Sequence, residues 1–177
     1  IPKLISVSIV REMGPVFACL MMAARVGAGI TSEIGSMKVT QLIDAIRALG
    51  ASPIKKIVIP RVIACFIAIP LLSSVAIAVG VFGVMIIGSL ELGIDFPFFI
   101  QKVIASNSPA DYYSGLGKTF FFALFIAITA CYYGLRVEGG TQGVGSATTK
   151  SVVTSSIFIM IGDFFLTKFF LLIESWV

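Results

Sequence analysis

Three observations predict an all-α polytopic membrane protein. Of the 177 residues, 58% are hydrophobic and only 12% are charged, whereas soluble domains run near half apolar and a quarter charged. The mean hydropathy is +1.05. The few charges are also unevenly placed, so that long uncharged runs alternate with short charged links. A chain so poor in charge cannot clothe a water-facing surface, and the same composition excludes intrinsic disorder. A hydrocarbon core about 30 Å thick takes roughly 20 apolar residues per helix, which leaves room for four or five spans.

The first predicted span is Leu4–Ile30, which holds Arg11, Glu12 and Arg25. Val62–Leu90 is the longest uncharged stretch and the second span; Thr119–Leu135 is the third. The fourth, Ser151–Val177, is interrupted by Asp163 and Lys168. Between them lie the links Thr31–Arg61, Glu91–Gly117 and Arg136–Lys150. No internal repeat or low-complexity tract divides the chain, which reads as one domain over residues 1–177.

Lys and Arg placement orients the spans. Lys38, Arg47, Lys55, Lys56 and Arg61 crowd the first link, and Arg136 and Lys150 mark the third. The second has Lys102 beside Glu91, Asp95 and Asp111. Positively charged loops stay in the cytoplasm, so the first and third links are expected inside and the second outside. Phe96, Phe98, Phe99, Tyr112, Tyr113 and Trp176 suit an aromatic belt at the outer interface. The net charge of +4 is then a property of cytoplasmic loops facing anionic lipid, and no nucleic-acid partner is expected.

Inside the first link, Val39, Leu42, Ile43, Ile46 and Leu49 follow the spacing of an amphipathic helix. Lys38, Gln41, Asp44 and Arg47 fall largely elsewhere on the wheel. Gly50 can close the helix in the left-handed conformation, and Pro53 prevents its continuation. About a dozen residues with three charges cannot cross a bilayer. The helix Lys38–Leu49 therefore lies along the cytoplasmic face or docks into a partner.

Charges within the spans carry the most information. A central Arg, Lys or Asp costs roughly 2.5–3.5 kcal/mol on insertion scales, so such residues face a protein interior or a wet cavity. Arg11 and Glu12 lie in the first span, Lys118 opens the third and Asp163 lies about midway along the fourth. Four charges from three helices at similar depth could pair around a polar cavity. The alternative makes Arg11–Glu12 an interfacial anchor and Lys118 a snorkelling side chain, with only Asp163 buried. Arg25 and Glu33 bracket the cytoplasmic end of the first span as a candidate ion pair.

Several chemistries find no support. There is no His, the commonest general base and metal ligand. Cys19, Cys65 and Cys131 each sit inside an apolar run and read as small core residues. No cofactor is expected. The segment SGLGKT at Ser114–Thr119 imitates a phosphate-binding loop, but the pattern GxxxxGK[ST] needs Gly where this chain has Tyr112, and a spanning run follows it. Ser73, Ser74, Ser155 and Ser156 have no base with which to form a triad. Ala23, Ala24, Gly27 and Ala28, and likewise Ala76 and Gly80, provide small-residue faces for helix–helix contact, expected chiefly within the molecule.

Three segments resemble a known family: REMGP at Arg11–Pro15, ARVGAGITSEIGSMKVTQLIDAIRALGASPIKKIVIPRVIA from Ala24, and GVGSATTKSVVTSSIFIMIGDFFLT from Gly143. Together they are similar to the MlaE/YrbE permeases, the membrane subunits of ABC-type phospholipid transporters associated with MCE proteins. The resemblance implies an MlaE-like bundle with five spans in the whole protein, four of them in this chain, preceded by an interfacial helix and one further span. It implies that Lys38, Val39, Gln41, Leu42, Asp44, Ala45, Ile46, Arg47 and Leu49 form the coupling helix that sits in a groove of a cytoplasmic, MlaF-like ATPase. ATP hydrolysis would belong to that subunit. It further implies a homodimer, an MlaD-like periplasmic MCE protein, a possible MlaB-like STAS-domain subunit, and a Gram-negative inner membrane. Arg11, Glu12, Lys118 and Asp163 would then line the cavity for a phospholipid head group, in a system that maintains outer-membrane lipid asymmetry. An intramembrane lipid-modifying enzyme would need a nucleophile or metal site that the sequence does not offer. A passive scaffold for an MCE protein would explain neither the cytoplasmic helix nor the cost of keeping Asp163.

Overall fold

A computed structural model describes residues 7–92, 96–106 and 109–176. The described residues form helices, and four of these are long and apolar enough to cross a membrane. Helix α1 spans Ile9–Val39, α2 is the short Leu42–Ala48, and α3 spans Ile54–Leu90. Helix α4 is Phe96–Ser106, α5 is Pro109–Leu135 and α6 is Gly140–Trp176. Even α5, with 27 residues, reaches about 40 Å at 1.5 Å per residue, beyond the hydrocarbon thickness.

The helices outrun the predicted spans in the links, and the reason is physical. Charge keeps a turn out of hydrocarbon but does not stop it from being helical, so α3 begins eight residues before Val62 and α6 eleven before Ser151. The second link, expected to be a plain connection, contains α4, and Pro109 opens α5 where a missing N–H costs nothing. Of the expected belt, Phe98, Tyr112 and Tyr113 are exposed, whereas the side chains of Phe96, Phe99 and Trp176 fall outside the described residues.

The amphipathic segment needs a larger correction. It is not one helix over Lys38–Leu49. Lys38 and Val39 complete α1, Thr40 closes it, and Gln41 turns the chain in the left-handed conformation with φ 61°. Thr40 offers its hydroxyl to the Ser36 carbonyl at 2.9 Å, a local bond that competes with helix propagation. The seven residues of α2 follow, and Gly50 ends them with φ 76°, as its sequence position predicts. Of the five apolar positions of the predicted stripe, Ile43 is buried and Ile46 partly buried, whereas Val39, Leu42 and Leu49 are exposed.

Helix α5 is the centre of the bundle. In its most apolar stretch 61% of the residues are buried, against 6% in α6. Phe122, Ile126 and Ala130 form one i, i+4 row, and Ala123, Ala127 and Cys131 form the adjacent one; all are buried. Four small side chains among these six let neighbouring backbones approach closely. Gly134 lies so near α1 that a Cβ there would meet Ile34 at 2.8 Å. The three cysteines are buried and free, as expected of small packing residues. The row Ile63, Ile67, Leu71, Val75, Val79 on α3 stays exposed.

The first and third links share one end of the bundle. Arg61 at the start of α3 bonds Glu33 near the end of α1 at 2.9 Å. Glu33 thus turns to Arg61 rather than to Arg25, because the chain folds back at α2 and brings α3 alongside. Thr31 nearby is fully buried, and its hydroxyl lies within 2.9–3.1 Å of the Gly27 and Ala130 carbonyls and the Ser151 hydroxyl, tying α1, α5 and α6 together.

Candidate functional site

Local backbone geometry on α1 prepares the site. Residues Ile9–Met13 form a wide π-helical turn in which the Gly14 N–H reaches back to the Ile9 carbonyl. In that register the donor for the Val10 carbonyl would be Pro15, which has no N–H. Helix α5 comes against this spot at Gly115, where an added Cβ would stand 2.6 Å from the Val10 oxygen and 3.2 Å from the Pro15 ring. The same arrangement recurs at Ile54–Val58, where Ile59 bonds Ile54 and Pro60 follows. Such turns are frequent at functional sites; here it presents two adjacent charges, Arg11 and Glu12, to α5.

The two charges take different partners along one face of α5. Arg11 Nη1 bonds Asp111 Oδ1 at 3.0 Å. Two turns further along α5, Lys118 Nζ donates to Glu12 Oε2 at 2.6 Å, to Asp163 Oδ1 at 3.2 Å and to Thr167 Oγ1 at 2.6 Å. The Thr167 hydroxyl in turn donates to Glu12 Oε2 at 3.2 Å. One ammonium is therefore held by α1 and α6 at once, and its side chain has 0% exposure. In a medium where an unpaired charge is this costly, the arrangement is stable only because all three ammonium donors are used.

Of the four residues expected around a cavity, Glu12, Lys118 and Asp163 come together and Arg11 does not join them. Snorkelling is ruled out for Lys118 by its complete burial. Asp111 and Thr167 were missed. Asp111 was assigned to an exposed outer link, but it sits in the first turn of α5 at 7% exposure, where a carboxylate also suits the helix N-terminus. Its signal was the seven-residue spacing to Lys118, two turns on one face. Thr167 had the i, i+4 spacing from Asp163.

Beside this network opens a cleft of about 280 Å³, lined by Glu12, Met160, Asp163, Phe164, Thr167, Lys168 and Leu171. The Glu12 and Asp163 side chains reach it at 34% and 24% exposure, while Lys118 stays behind them. A second, wider groove of about 950 Å³ runs between α1 and α3, lined almost wholly by apolar groups such as Met13, Phe17, Met21 and Val75. The bundle thus combines a small cleft that bears charged groups with extended apolar faces.

Comparison with known proteins decides the family. The family described as Permease MlaE matches residues 1–169. The chain belongs to the MlaE permease family. Among curated relatives, a Rickettsia felis protein named "Probable ABC transporter permease protein" is 41% identical over 96% of this chain and 66% of its own length. A Synechocystis protein, also named a probable ABC transporter permease protein, is 39% identical over 92% of this chain and 62% of its own length. The Arabidopsis thaliana protein TRIGALACTOSYLDIACYLGLYCEROL 1, chloroplastic, is 34% identical over 90% of this chain and 46% of its own length. This MlaE-family chain thus spans about two-thirds or less of the length of these relatives.

In this MlaE-family bundle the SGLGKT segment is part of α5. Its Lys118 serves the ion network, and its backbone amides are turned into the helix rather than into a phosphate-cradling loop. At the other end of the bundle, Ile43 of α2 is buried against the spans, whereas Leu42, Leu49 and Ile54 are exposed, with Leu49 at 84%. Asp44 there lies 3.7 Å from Lys38 and 3.6 Å from Arg47, both weak surface pairs.

Proposed function

We propose that this chain is the main membrane-spanning part of an ABC-type permease subunit that moves phospholipid, with the head group passing through the cleft beside Glu12, Lys118 and Asp163. The observation that carries this reading is the completely buried Lys118 ammonium, held by carboxylates of two different spanning helices that reach the wall of a cleft. Such a network is expensive in a bilayer, and intramembrane ionisable groups mark substrate pathways. The cleft admits a head group, while the acyl chains follow the apolar helix faces into the lipid. The lipid name of the Arabidopsis relative supports lipid as the class of cargo.

Energy comes from a separate MlaF-like ATPase that docks on α2 and the turns flanking it. The exposed Leu42, Leu49 and Ile54 supply the apolar contact and Lys38, Asp44 and Arg47 the polar rim. Two copies of the permease act together, delivering lipid to or receiving it from an MlaD-like MCE protein, with an MlaB-like STAS subunit on the ATPase. The setting is a Gram-negative inner membrane, and the outcome is maintained outer-membrane lipid asymmetry.

The test is lipid cross-linking from a photoreactive amino acid at position 12 in the assembled complex, together with transport by Glu12→Leu. A phospholipid adduct at position 12, and transport reduced at least tenfold with assembly intact, are expected. Wild-type transport by Glu12→Leu with no lipid adduct would refute the reading.

A further inference from the structure

The site also has a polarity, and it depends on a residue outside the ion network. Lys118 Nζ has three donors and spends them on Glu12, Asp163 and Thr167. It is buried behind the carboxylates, so it has no donor left for a ligand in the cleft. The carboxylates, by contrast, are not saturated. Asp163 Oδ2 accepts no hydrogen bond among the described residues, and Glu12 Oε1 has only a long contact of 3.5 Å to Thr167. With all groups ionised, Glu12, Asp163 and Lys118 together carry one net negative charge. Lys168 lines the same cleft, is exposed, and enters no ion pair among the described residues. It lies five residues beyond Asp163 on α6, roughly 7.5 Å further along the axis. The cleft therefore has a surplus of negative charge at one end and a free ammonium at the other.

Resting on the reading of the cleft as a head-group site, we infer that Lys168 holds the phosphate of the lipid and that the spare carboxylate oxygens of Glu12 and Asp163 hold its ammonium, so that the site selects a zwitterionic head group over an anionic one. The chemistry is complementary at both ends. A primary ammonium donates to Asp163 Oδ2 and Glu12 Oε1, and a phosphodiester accepts from the Lys168 ammonium, each a charge-assisted bond. An anionic head group that ends in hydroxyls keeps the second contact but places no cation against the surplus carboxylate. At about 280 Å³ the cleft is just below the usual range of about 300–1,000 Å³ for small-molecule pockets, a size for a head group and not for two acyl chains.

The experiment places a photoreactive benzophenone side chain at position 164, which lines the cleft without joining the ion network. The permease, assembled with its partners, is reconstituted in nanodiscs of equimolar phosphatidylethanolamine and phosphatidylglycerol, and the adducts are identified by mass spectrometry. Phosphatidylethanolamine should be enriched at least several-fold over its input share. Lys168→Gln should lower that adduct about tenfold, as expected for one hydrogen bond to a charged group, and Lys168→Arg should retain it. Equal capture of the two lipids, or a Lys168→Gln adduct equal to the parent's, would overturn the inference while leaving the cleft as a lipid site. No lipid adduct at all would overturn both this inference and the proposed function beneath it.

Discussion

Lys118 is the residue on which the polar interior depends. Its burial with two carboxylates means that removing it strands both of them, a change that costs about 3–5 kcal/mol when a buried pair is broken. Lys118→Met should therefore lower thermal stability of the purified protein sharply, measured by the melting temperature in detergent. Lys118→Met combined with Glu12→Gln and Asp163→Asn should recover most of that loss, because no uncompensated charge remains. Asp163→Leu alone should be milder, since Lys118 keeps Glu12 and Thr167. Gly115 provides a second residue-scale test. A methyl group there meets the Val10 carbonyl at 2.6 Å, so Gly115→Ala should cost about 1–3 kcal/mol through overpacking. Gly145 is also helical but faces open space, so Gly145→Ala should be neutral or stabilising, by up to about 1 kcal/mol. Equal melting temperatures for these two variants would contradict the close α1–α5 approach.

At the scale of elements, proline position explains two of the three wide turns among the described residues; the turn at Ala23–Gly27 has no proline after it. Both Ile9–Met13 and Ile54–Val58 end two residues before a proline, whose missing N–H removes the donor that would close a regular turn. Around Pro15 the consequence is that adjacent residues Arg11 and Glu12 reach partners seven residues apart on α5. Helix α2 raises a different question, since seven residues are too few to be stable alone. It is held by Ile43 beneath it and by local bonds such as Ala45 N–H to the Gln41 carbonyl at 3.0 Å. Ala45→Pro removes that bond and should cost about 3 kcal/mol locally, melting α2 while the spanning helices still insert. Copurification of the ATPase should fall and transport should be lost. Full ATPase retention with normal transport in this variant would exclude α2 as the coupling element.

At the scale of the whole molecule, the turns around α2 and between α5 and α6 occupy one end of the bundle and α4 the other. Lys and Arg placement assigns the first end to the cytoplasm. Single cysteines at Lys56 and Tyr113, in a background lacking the native three, test this with an impermeant thiol reagent on intact cells. Both positions are exposed. Asp111, although nearer the start of α5, is a poor choice because its burial against Arg11 would block the reagent. Labelling at position 113 and none at 56 is expected, and the reverse would invert the topology.

The membrane class, the four spans, the Gly50 stop and the identity of three of the clustered charges were legible in the sequence, whereas the helical state of SGLGKT was not. The legible features follow from local composition and spacing, which a bilayer enforces strictly because every backbone amide must be bonded within the protein. The partners were not legible in this way. Whether Glu33 meets Arg25 or Arg61, whether Arg11 joins Lys118 or Asp111, and whether Lys118 is buried or snorkelling depend on how α1, α5 and α6 are rotated against one another. That rotation is set by close contacts between residues about a hundred positions apart, such as Gly115 on Val10 and Gly134 on Ile34. Periodicity reports which face of a helix is special, and only packing decides what that face meets.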